Sequence, residues 1–285
     1  MQTLRQRMAD DMRVRNFSPK TVEAYLHYAG RFAAHFDRAP GRLGPEEVRA
    51  FQLHLFEAEK LAPSSVNVAT CALRFLFRVT LGRAVAIDDL PLCRRRRKLP
   101  LVLSRADVRR LLDAAPEPRF RAMMMAAYGA GLRLGEVRTL RVEDVDSERM
   151  VIRVRSGKGG KDRLVMLSPV LLEELRAHWR REKPATYLFP TPGADRPIYD
   201  TALQRAVKRA AKAAGLSPEV SPHTLRHCFA THLLEDGVDI HVIQQLMGHK
   251  DIRTTMAYLR VSTRTISRTA SPLDHPYGRA DSEVE

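Results

Sequence analysis

The sequence predicts a mainly α-helical protein of two domains, with a small β-hairpin in the second domain. A chain of 285 residues is long enough for two domains. Apolar residues recur at helical spacing behind N-capping residues over most of the chain. Two short β-prone segments flank a glycine-rich turn, as in a hairpin. Hydrophobic residues make up 44% of the chain but aromatics only 6%, so the cores should be mainly aliphatic.

Residues 1–90 are predicted to form a domain of four helices. Ser18 and Pro19 match an N-cap followed by proline at the first helical position, and Pro45 and Pro63 open two further helices in the same way. A shorter helix is expected near the N-terminus. The exposed faces of these helices are expected to carry the cations Arg13, Arg15, Lys20, Arg74 and Arg78.

Residues 91–101 are predicted to be a basic linker. They contain five consecutive cations between two prolines, a composition that does not suit a packed element. These cations could follow a phosphate backbone, or they could be a solvated spacer. The five cations are Arg94, Arg95, Arg96, Arg97 and Lys98.

Residues 102–270 are predicted to form the second domain, and residues 271–285 a loosely ordered tail. Ser104 should cap its first helix, and the hairpin should pair strands near 150–154 and 164–167. The other helices are expected at about 119–128, 134–140, 169–181, 200–214, 222–235, 239–247 and 251–259.

The charge of the chain favours a polyanionic partner. The formal net charge is +15 and the isoelectric point about 10.3. Residues 1–100 carry 18 Lys and Arg against 10 Asp and Glu, and the remainder carries 30 against 23. Both halves are basic, which favours double-stranded DNA held by both domains, although a solvated basic surface has the same composition.

The chain has neither a disulfide pattern nor a membrane segment. It contains three cysteines, an odd number, and none are at Cys-x-x-Cys spacing, which favours a reducing compartment. The sequence has no apolar leader and no run long enough to span a bilayer, so we expect a cytoplasmic protein with no membrane partner.

Two segments offer cations for an anionic ligand. Arg133 follows Gly131 near the start of a predicted helix, where a guanidinium is well placed to meet a phosphate, and Glu136 could orient it or cap the helix. Lys158 lies at the tip of the predicted hairpin, where small neighbours permit close approach to another backbone. Lys161 is an alternative in the same turn, and a solvated turn lysine is the simpler interpretation of either.

The segment from 222 to 258 is the densest in reactive side chains. His223 and Arg226 are three apart on a predicted helix and share a face, whereas His227 is predicted to point elsewhere and to pack. His249 follows a glycine and could donate to an anion. Tyr258 has a phenol that is a poor nucleophile unless cations surround it; alone, it would be a structural tyrosine.

A zinc site is the competing use of these histidines. His223, His227 and His232 lie on one predicted helix, and the first two are four residues apart. Thr224, however, occupies the position that Glu takes in a His-Glu-x-x-His motif, and acidic residues are not clustered nearby. We therefore expect neither a metal nor a cofactor.

Together these residues resemble the signature of the tyrosine recombinases, the phage integrase family, and most closely its Xer-like members. The family's Arg, Lys, His-x-x-Arg, His and C-terminal Tyr are matched by Arg133, Lys158, His223, Arg226, His249 and Tyr258. The resemblance implies that residues 1–90 are a helical, SAM-like core-binding domain and that 102–270 are an α+β catalytic domain. It extends over nearly the whole chain.

The resemblance implies a mechanism. Tyr258 would attack a phosphodiester and form a 3′-phosphotyrosyl link, while Arg133 and Arg226 neutralise the phosphorane. Lys158 would protonate the leaving 5′-oxygen, His223 would manage the tyrosine proton, and His249 would donate a further bond. Neither ATP nor a metal would be needed. The partner would be duplex DNA held between the two domains, with four protomers on two sites and a monomer or weak oligomer without DNA.

Some local features are similar to integron integrases, namely Arg97–Pro100 and Ser271–Asp274. The insertion that those enzymes carry before the His-x-x-Arg motif is missing, so folded single-stranded sites are not expected as substrates. Two alternatives stay open. A type IB topoisomerase uses almost the same side chains to relax DNA, and a non-catalytic DNA-binding module would not need them.

Overall fold

The structure is a computed structural model that describes residues 3–83, 91–94, 100–155, 162–249 and 251–258. The chain divides into two compact units, Met1–Arg97 and Lys98–Glu285. The predicted residues of the hairpin turn, of most of the linker and of the tail lie outside the described residues. The exact domain limits therefore stay predictions.

The first unit contains the predicted four helices. They are α1 (Leu4–Val14), α2 (Pro19–Phe36), α3 (Pro45–Leu53) and α4 (Pro63–Phe75). The predicted Ser18 cap of α2 is confirmed, because its side chain accepts a hydrogen bond from the Thr21 amide. Helices α3 and α4 continue into single wide π turns, His54–Ala58 and Leu76–Thr80.

Aromatic rings fill the centre of the first unit. Phe32 from α2 is fully buried and lies edge-on to Phe51 and Phe77, with ring centroids 5.5 and 6.1 Å apart. Edge-to-face pairs of this kind add to the free energy gained from burial. The three rings thus join α2 to the ends of α3 and α4, within a core whose other buried residues are Met, Leu, Val and Ala, as the low aromatic content predicts.

The second unit contains eight helices and two small antiparallel sheets among its described residues. The helices are α5 (Arg105–Asp113), α6 (Pro118–Gly129), α7 (Leu134–Arg138), α8 (Pro169–Glu182), α9 (Asp200–Ala213), α10 (Pro222–Glu235), α11 (Ile240–Met247) and α12 (Ile252–Thr255). A 3₁₀ turn, Met256–Tyr258, follows α12. Serine side chains cap α5, α8 and α10, as their hydrogen bonds to the first-turn amides demonstrate.

The predicted hairpin is confirmed and is part of a three-stranded sheet. Strands β2 (Val151–Val154) and β3 (Arg163–Met166) pair in antiparallel register, with Val154 opposite Arg163. β1 (Val145–Asp146) adds to the other edge of β2, and a second sheet pairs β4 (Pro190–Thr191) with β5 (Ala194–Pro197). β1, β4 and β5 were not predicted, because β1 and β4 have two residues each and β5 contains no β-branched or aromatic residue.

Helix α6 is the central element of the second unit. It packs against α8, α9 and α10, and its Met123 and Met124 side chains are fully buried. Methionine fills irregular gaps between helices, which suits a helix with neighbours on most sides. α6 and α10 therefore form a fixed base from which the candidate site residues project.

Candidate active site

A sharp turn between α6 and α7 places Arg133. Gly131 has φ +61°, in the left-handed region, and a Cβ on it would lie 2.5 Å from the Phe229 ring. Only glycine fits this turn without displacing the ring. Arg133 then takes an extended conformation as the N-cap of α7.

The Arg133 side chain is held by three acceptors. Nη1 donates to Glu136 Oε1 at 2.7 Å, and Nη2 donates to the carbonyls of Met247 and Gly248, both at 3.0 Å. The Arg133 backbone amide donates to the other Glu136 oxygen at 2.8 Å. Glu136 therefore does both things that the sequence left open, since it caps the helix and orients the guanidinium.

Arg226 also contacts the Met247 carbonyl and lies close to Glu136. It lies on α10 with its side chain only 2% exposed, and it donates to the carbonyls of Gly131 and Met247. Its Nη1 is 3.7 Å from Glu136 Oε2. The guanidiniums of Arg133 and Arg226 thus meet at one carbonyl, that of Met247, at the C-terminal end of α11.

A third arginine completes this group. Arg163, the first residue of β3, donates from Nη1 and Nη2 to the two Glu136 oxygens at 2.9 and 2.8 Å, and from Nε to the Leu246 carbonyl at 2.9 Å. Burial opposes ionisation of Glu136, but the hydrogen bonds from Arg163 and from the Arg133 amide outweigh it and lower its pKa to about 2. One carboxylate therefore neutralises part of the charge of three guanidiniums.

The cluster keeps an excess of positive charge. Burial, and then the neighbouring charge of Arg133, lower the pKa of Arg226 to about 9, which leaves it cationic at neutral pH. Cations that are desolvated and held in place before a ligand arrives are a strong site for an anion. The arrangement can therefore bind and polarise a group such as a phosphodiester.

Tyr258 is buried beside this cluster, at the end of the 3₁₀ turn after α12. Its side chain is 3% exposed and packs against Phe229, Ala230 and Met247. Its hydroxyl is 3.1 Å from His227 Nδ1. Burial raises the pKa of Tyr258, and the charges of Arg226 and Arg133 oppose that rise. The phenol is therefore within electrostatic range of both guanidiniums.

Two imidazoles contact the phenol, and a third contacts one of them. The rings of His223 and His227 are edge-on with centroids 5.1 Å apart, and the ring of His249 is stacked on that of Tyr258 at 6.3 Å. His249 Nδ1 is 2.9 Å from Thr255 Oγ1.

All three imidazoles are neutral at pH 7. Burial, followed by His223 and Arg226, lowers the pKa of His227 to about 4. Burial, followed by Arg226 and Arg133, lowers that of His249 to about 4. His223 keeps an exposed side chain, but desolvation by its neighbours, and then Arg226 and Arg133, lower its pKa too.

The structure thus brings together five of the six predicted catalytic residues, namely Arg133, His223, Arg226, His249 and Tyr258. Lys158 lies outside the described residues, as does Lys161. The catalytic roles themselves stay predictions.

Most of the predicted DNA-contacting residues that the structure describes in the first unit are exposed. Lys20, Arg78 and Arg94 are exposed, which suits a contact with a large ligand. The expected exposure of Arg74 was wrong, since its side chain is half-buried within α4 and its Nε is enclosed by protein, and its contact with DNA stays a prediction. Arg95, Arg96, Arg97 and Lys98 lie outside the described residues.

Three residues of the candidate active site were missed or misassigned from the sequence. The prediction that His227 points away was wrong, because its ring contacts both His223 and Tyr258. The four-residue step from His223 to His227 was the available signal, since such residues share a helix face. Arg163 and Thr255 carried no signal of this kind. Their partners, Glu136 and His249, are brought next to them by the tertiary fold and not by a helical or strand repeat.

Among the residues that the structure describes, no group of three His, Cys, Asp or Glu side chains could hold a metal ion. Within the same ranges, each helix is too short or too polar to cross a lipid bilayer.

Comparison with known sequences gives a consistent assignment. Residues 102–264 match the phage integrase family, and residues 4–87 match the phage integrase N-terminal SAM-like domain. The protein y4qK of Sinorhizobium fredii, whose name places it among integrases and recombinases, is 46% identical over 96% of this chain and 89% of its own length. The tyrosine recombinase XerA of Thermococcus kodakarensis is 37% identical over 88% of each protein.

Comparison with solved structures agrees with this. A crystal structure of XerA recombinase is 28% identical over 94% of this chain and 99% of that chain, with a TM-score of 0.54. XerH bound to its difH substrate superposes with a TM-score of 0.71 at 21% identity, over 90% of this chain and 82% of that one, which shows the shared fold. From the family match over more than half of its length and from these relatives, the chain belongs to the phage integrase family and is an Xer-like tyrosine recombinase, a site-specific recombination enzyme.

Proposed function

We propose that this enzyme cuts and rejoins duplex DNA through a covalent link between Tyr258 and a 3′-phosphate. The observation that carries the proposal is the meeting of the Arg133 and Arg226 guanidiniums at the Met247 carbonyl, beside the buried hydroxyl of Tyr258. A phosphodiester bound by both guanidiniums would bring its phosphorus close to a phenol already enclosed by protein.

The two arginines have the role of charge stabilisation. In-line attack concentrates negative charge on the non-bridging oxygens, and fixed donors aimed at those oxygens stabilise the transition state without reorganisation. Glu136 and the carbonyls of Met247 and Gly248 hold the guanidiniums in place before the DNA arrives. This preorganisation supports the assignment of Arg133 and Arg226 as the phosphate-binding pair.

The remaining groups move protons or add hydrogen bonds. In the proposal Lys158 protonates the leaving 5′-oxygen, and His249 donates to the phosphate. The proton of Tyr258 leaves through a neighbouring histidine of α10, which the family resemblance assigns to His223. The tyrosyl ester conserves the energy of the broken bond, so a 5′-hydroxyl from another strand can reverse the reaction with neither ATP nor a metal ion.

Duplex DNA is the proposed partner, and four protomers on two sites the proposed assembly. The net charge of +15 suits a polyanion. XerH has been solved bound to difH, and a lambda integrase dimer, 19% identical with a TM-score of 0.72 over 88% of this chain and 95% of that one, was solved on a core site. The tetramer is the smallest assembly that exchanges all four strands of two duplexes.

Covalent trapping tests this function. The full-length enzyme is incubated with fragmented genomic DNA from its host and denatured, and DNA that stays attached to protein is sequenced. We expect one recurrent duplex site, attached through Tyr258. Tyr258→Phe should bind that site and give no adduct, because the ring remains but the nucleophile is gone. Tyr199→Phe is the matched control, since Tyr199 is exposed on the same unit, and it should give the wild-type adduct.

The same protein variants and DNA distinguish a recombinase from a topoisomerase and from a non-catalytic DNA-binding protein. An adduct that survives in Tyr258→Phe would contradict the choice of nucleophile. Relaxation of supercoiled plasmid that lacks the recovered site, without joining of two sites, would favour a topoisomerase. Specific binding without any adduct from the wild-type enzyme would favour a non-catalytic DNA-binding protein.

A further inference from the structure

The contact between α10 and the nucleophile is made by a residue outside the predicted catalytic set. His227 Nδ1 lies 3.1 Å from the Tyr258 hydroxyl, within hydrogen-bond distance. His223, which the sequence predicted to manage this proton, lies one helical turn earlier with an exposed side chain, and its ring contacts that of His227. In chain order the contacts run from His223 to His227 to Tyr258.

We propose that His227, rather than His223, takes the phenolic proton when Tyr258 attacks DNA and returns it when the phosphotyrosyl link is resolved. The inference rests on the proposed function, since it assigns a step within that reaction. It makes His227 a catalytic residue, because it touches the reacting oxygen.

The other neighbours of Tyr258 are less suited to accept the proton. Arg133 and Arg226 are cations with no lone pair to offer. His249 stacks on the face of the phenol, and its Nδ1 is engaged by Thr255. Among the described side chains in contact with Tyr258, His227 is the one whose ring nitrogen faces the hydroxyl.

His227 is in the right state for this role. The titratable or charged groups that face it are His223 and Arg226 on α10, His249 after α11, and Tyr258 itself. Burial and the first two of these groups lower the pKa of His227 to about 4. At neutral pH the ring is therefore uncharged, and in the tautomer with its proton on Nε2 the Nδ1 lone pair accepts a hydrogen bond from the Tyr258 hydroxyl.

Atoms and charge are conserved in the proposed proton transfer. As the phenolic oxygen bonds to phosphorus, its O–H bond breaks and the proton passes to His227 Nδ1, while the bond from phosphorus to the 5′-oxygen breaks and that oxygen takes a proton from the general acid. The phenol becomes far more acidic as this bond forms, so a weak base suffices. Resolution runs the step backwards, with His227 returning the proton to the phenolic oxygen.

The test is single-turnover formation of the covalent adduct on the duplex recovered by trapping, from about pH 6.5 to about pH 8.5. His227→Gln should lower the rate by roughly 10²-fold at neutral pH, the lower end expected for loss of a general base. Its rate should then rise about tenfold per pH unit relative to wild type, because attack now requires the phenolate, whose ordinary pKa is about 10. His223→Gln and the exposed control His241→Gln should keep the wild-type slope.

A second variant separates catalysis from folding. His227→Ala removes the imidazole, and added free imidazole should restore adduct formation by at least about tenfold, whereas sodium chloride of equal ionic strength should not.

The outcomes are distinct. An unchanged rate in His227→Gln, the same factor of loss at every pH, no rescue by imidazole, or the steep slope in His223→Gln instead would overturn the inference. In each of these cases the wild-type adduct would still stand. Failure of the wild-type enzyme to form any adduct would instead contradict the proposed function.

Discussion

At the scale of single residues, Glu136 organises the site. Its side chain is 9% exposed and is surrounded by Arg133, Arg163 and Arg226, whose side chains are 21, 12 and 2% exposed. Removing one partner of a buried ion pair leaves the other charges without compensation, which costs far more than the loss of a surface pair. The three arginines depend on this carboxylate to lie close together.

We expect Glu136→Gln to lower the free energy of unfolding by about 3 kcal/mol, because one buried and two half-buried guanidiniums would lose their only carboxylate among the described neighbours. Urea denaturation followed by fluorescence measures this. The matched control is Glu143→Gln, whose 60% exposed side chain pairs with Arg141 and Arg155, and which should cost less than about 1 kcal/mol. Equal losses in the two variants would contradict this account of Glu136.

The sequence predicted which residues carry the candidate chemistry better than it predicted what holds them. Arg133, Arg226 and Tyr258 were found because their types and spacing match a family signature. His227 was misassigned, because helical periodicity specifies a shared face with His223 but not what lies opposite that face. Arg163 was missed, because its partners are Glu136 and a backbone carbonyl 83 residues away.

At the scale of elements, the turn between α6 and α7 determines where the site lies. Gly131 combines a positive φ with contact against the Phe229 ring, and its carbonyl accepts a hydrogen bond from Arg226. The turn therefore connects the positions of Arg133 and Arg226, which lie on different elements.

We expect Gly131→Ala to lower the free energy of unfolding by about 2 kcal/mol or more, since the left-handed conformation alone costs an alanine about 1–2 kcal/mol and the ring must also move. Gly135→Ala is the matched control. Gly135 lies within α7 with no neighbour within 4 Å of a new Cβ, so this change should stabilise by up to about 1 kcal/mol. Thermal unfolding distinguishes them, and a stable Gly131→Ala would argue against a strained turn.

Elements with strong local signals were predicted well. Helices α2, α5 and α8 begin at serine caps whose hydrogen bonds the structure contains. Strands β1, β4 and β5 were missed because their pairing depends on neighbours brought in by the tertiary fold rather than on their own sequence.

At the scale of the whole molecule, acidification should destabilise the second unit. The pKa values of His227 and His249 in the folded protein, about 4, lie below the ordinary value of about 6.5. Between these values the unfolded chain binds protons that the folded chain does not. The stabilisation is therefore present above about pH 6.5 and is lost as the pH falls towards 4.

We expect the free energy of unfolding to fall by about 1–3 kcal/mol between pH 7 and pH 5, a range reduced for partial solvent screening of these half-buried rings. The single tryptophan, Trp179, lies on α8 in the same unit, so its fluorescence reports the relevant transition. The double variant His227→Gln, His249→Gln should reduce this pH dependence, whereas His241→Gln should keep it. A double variant with the wild-type pH dependence would contradict the assignment.

The three carbonyls at the end of α11 constrain how this site can vary in sequence. The arginines bind the main chain of Leu246, Met247 and Gly248, and a peptide oxygen is the same whatever side chain its residue bears. Leu246 and Met247 can therefore be exchanged for residues of similar volume without altering the acceptors. The number of residues in α11 is less tolerant of change. One residue inserted into its last turn would rotate those carbonyl oxygens by about 100° and displace all three acceptors at once.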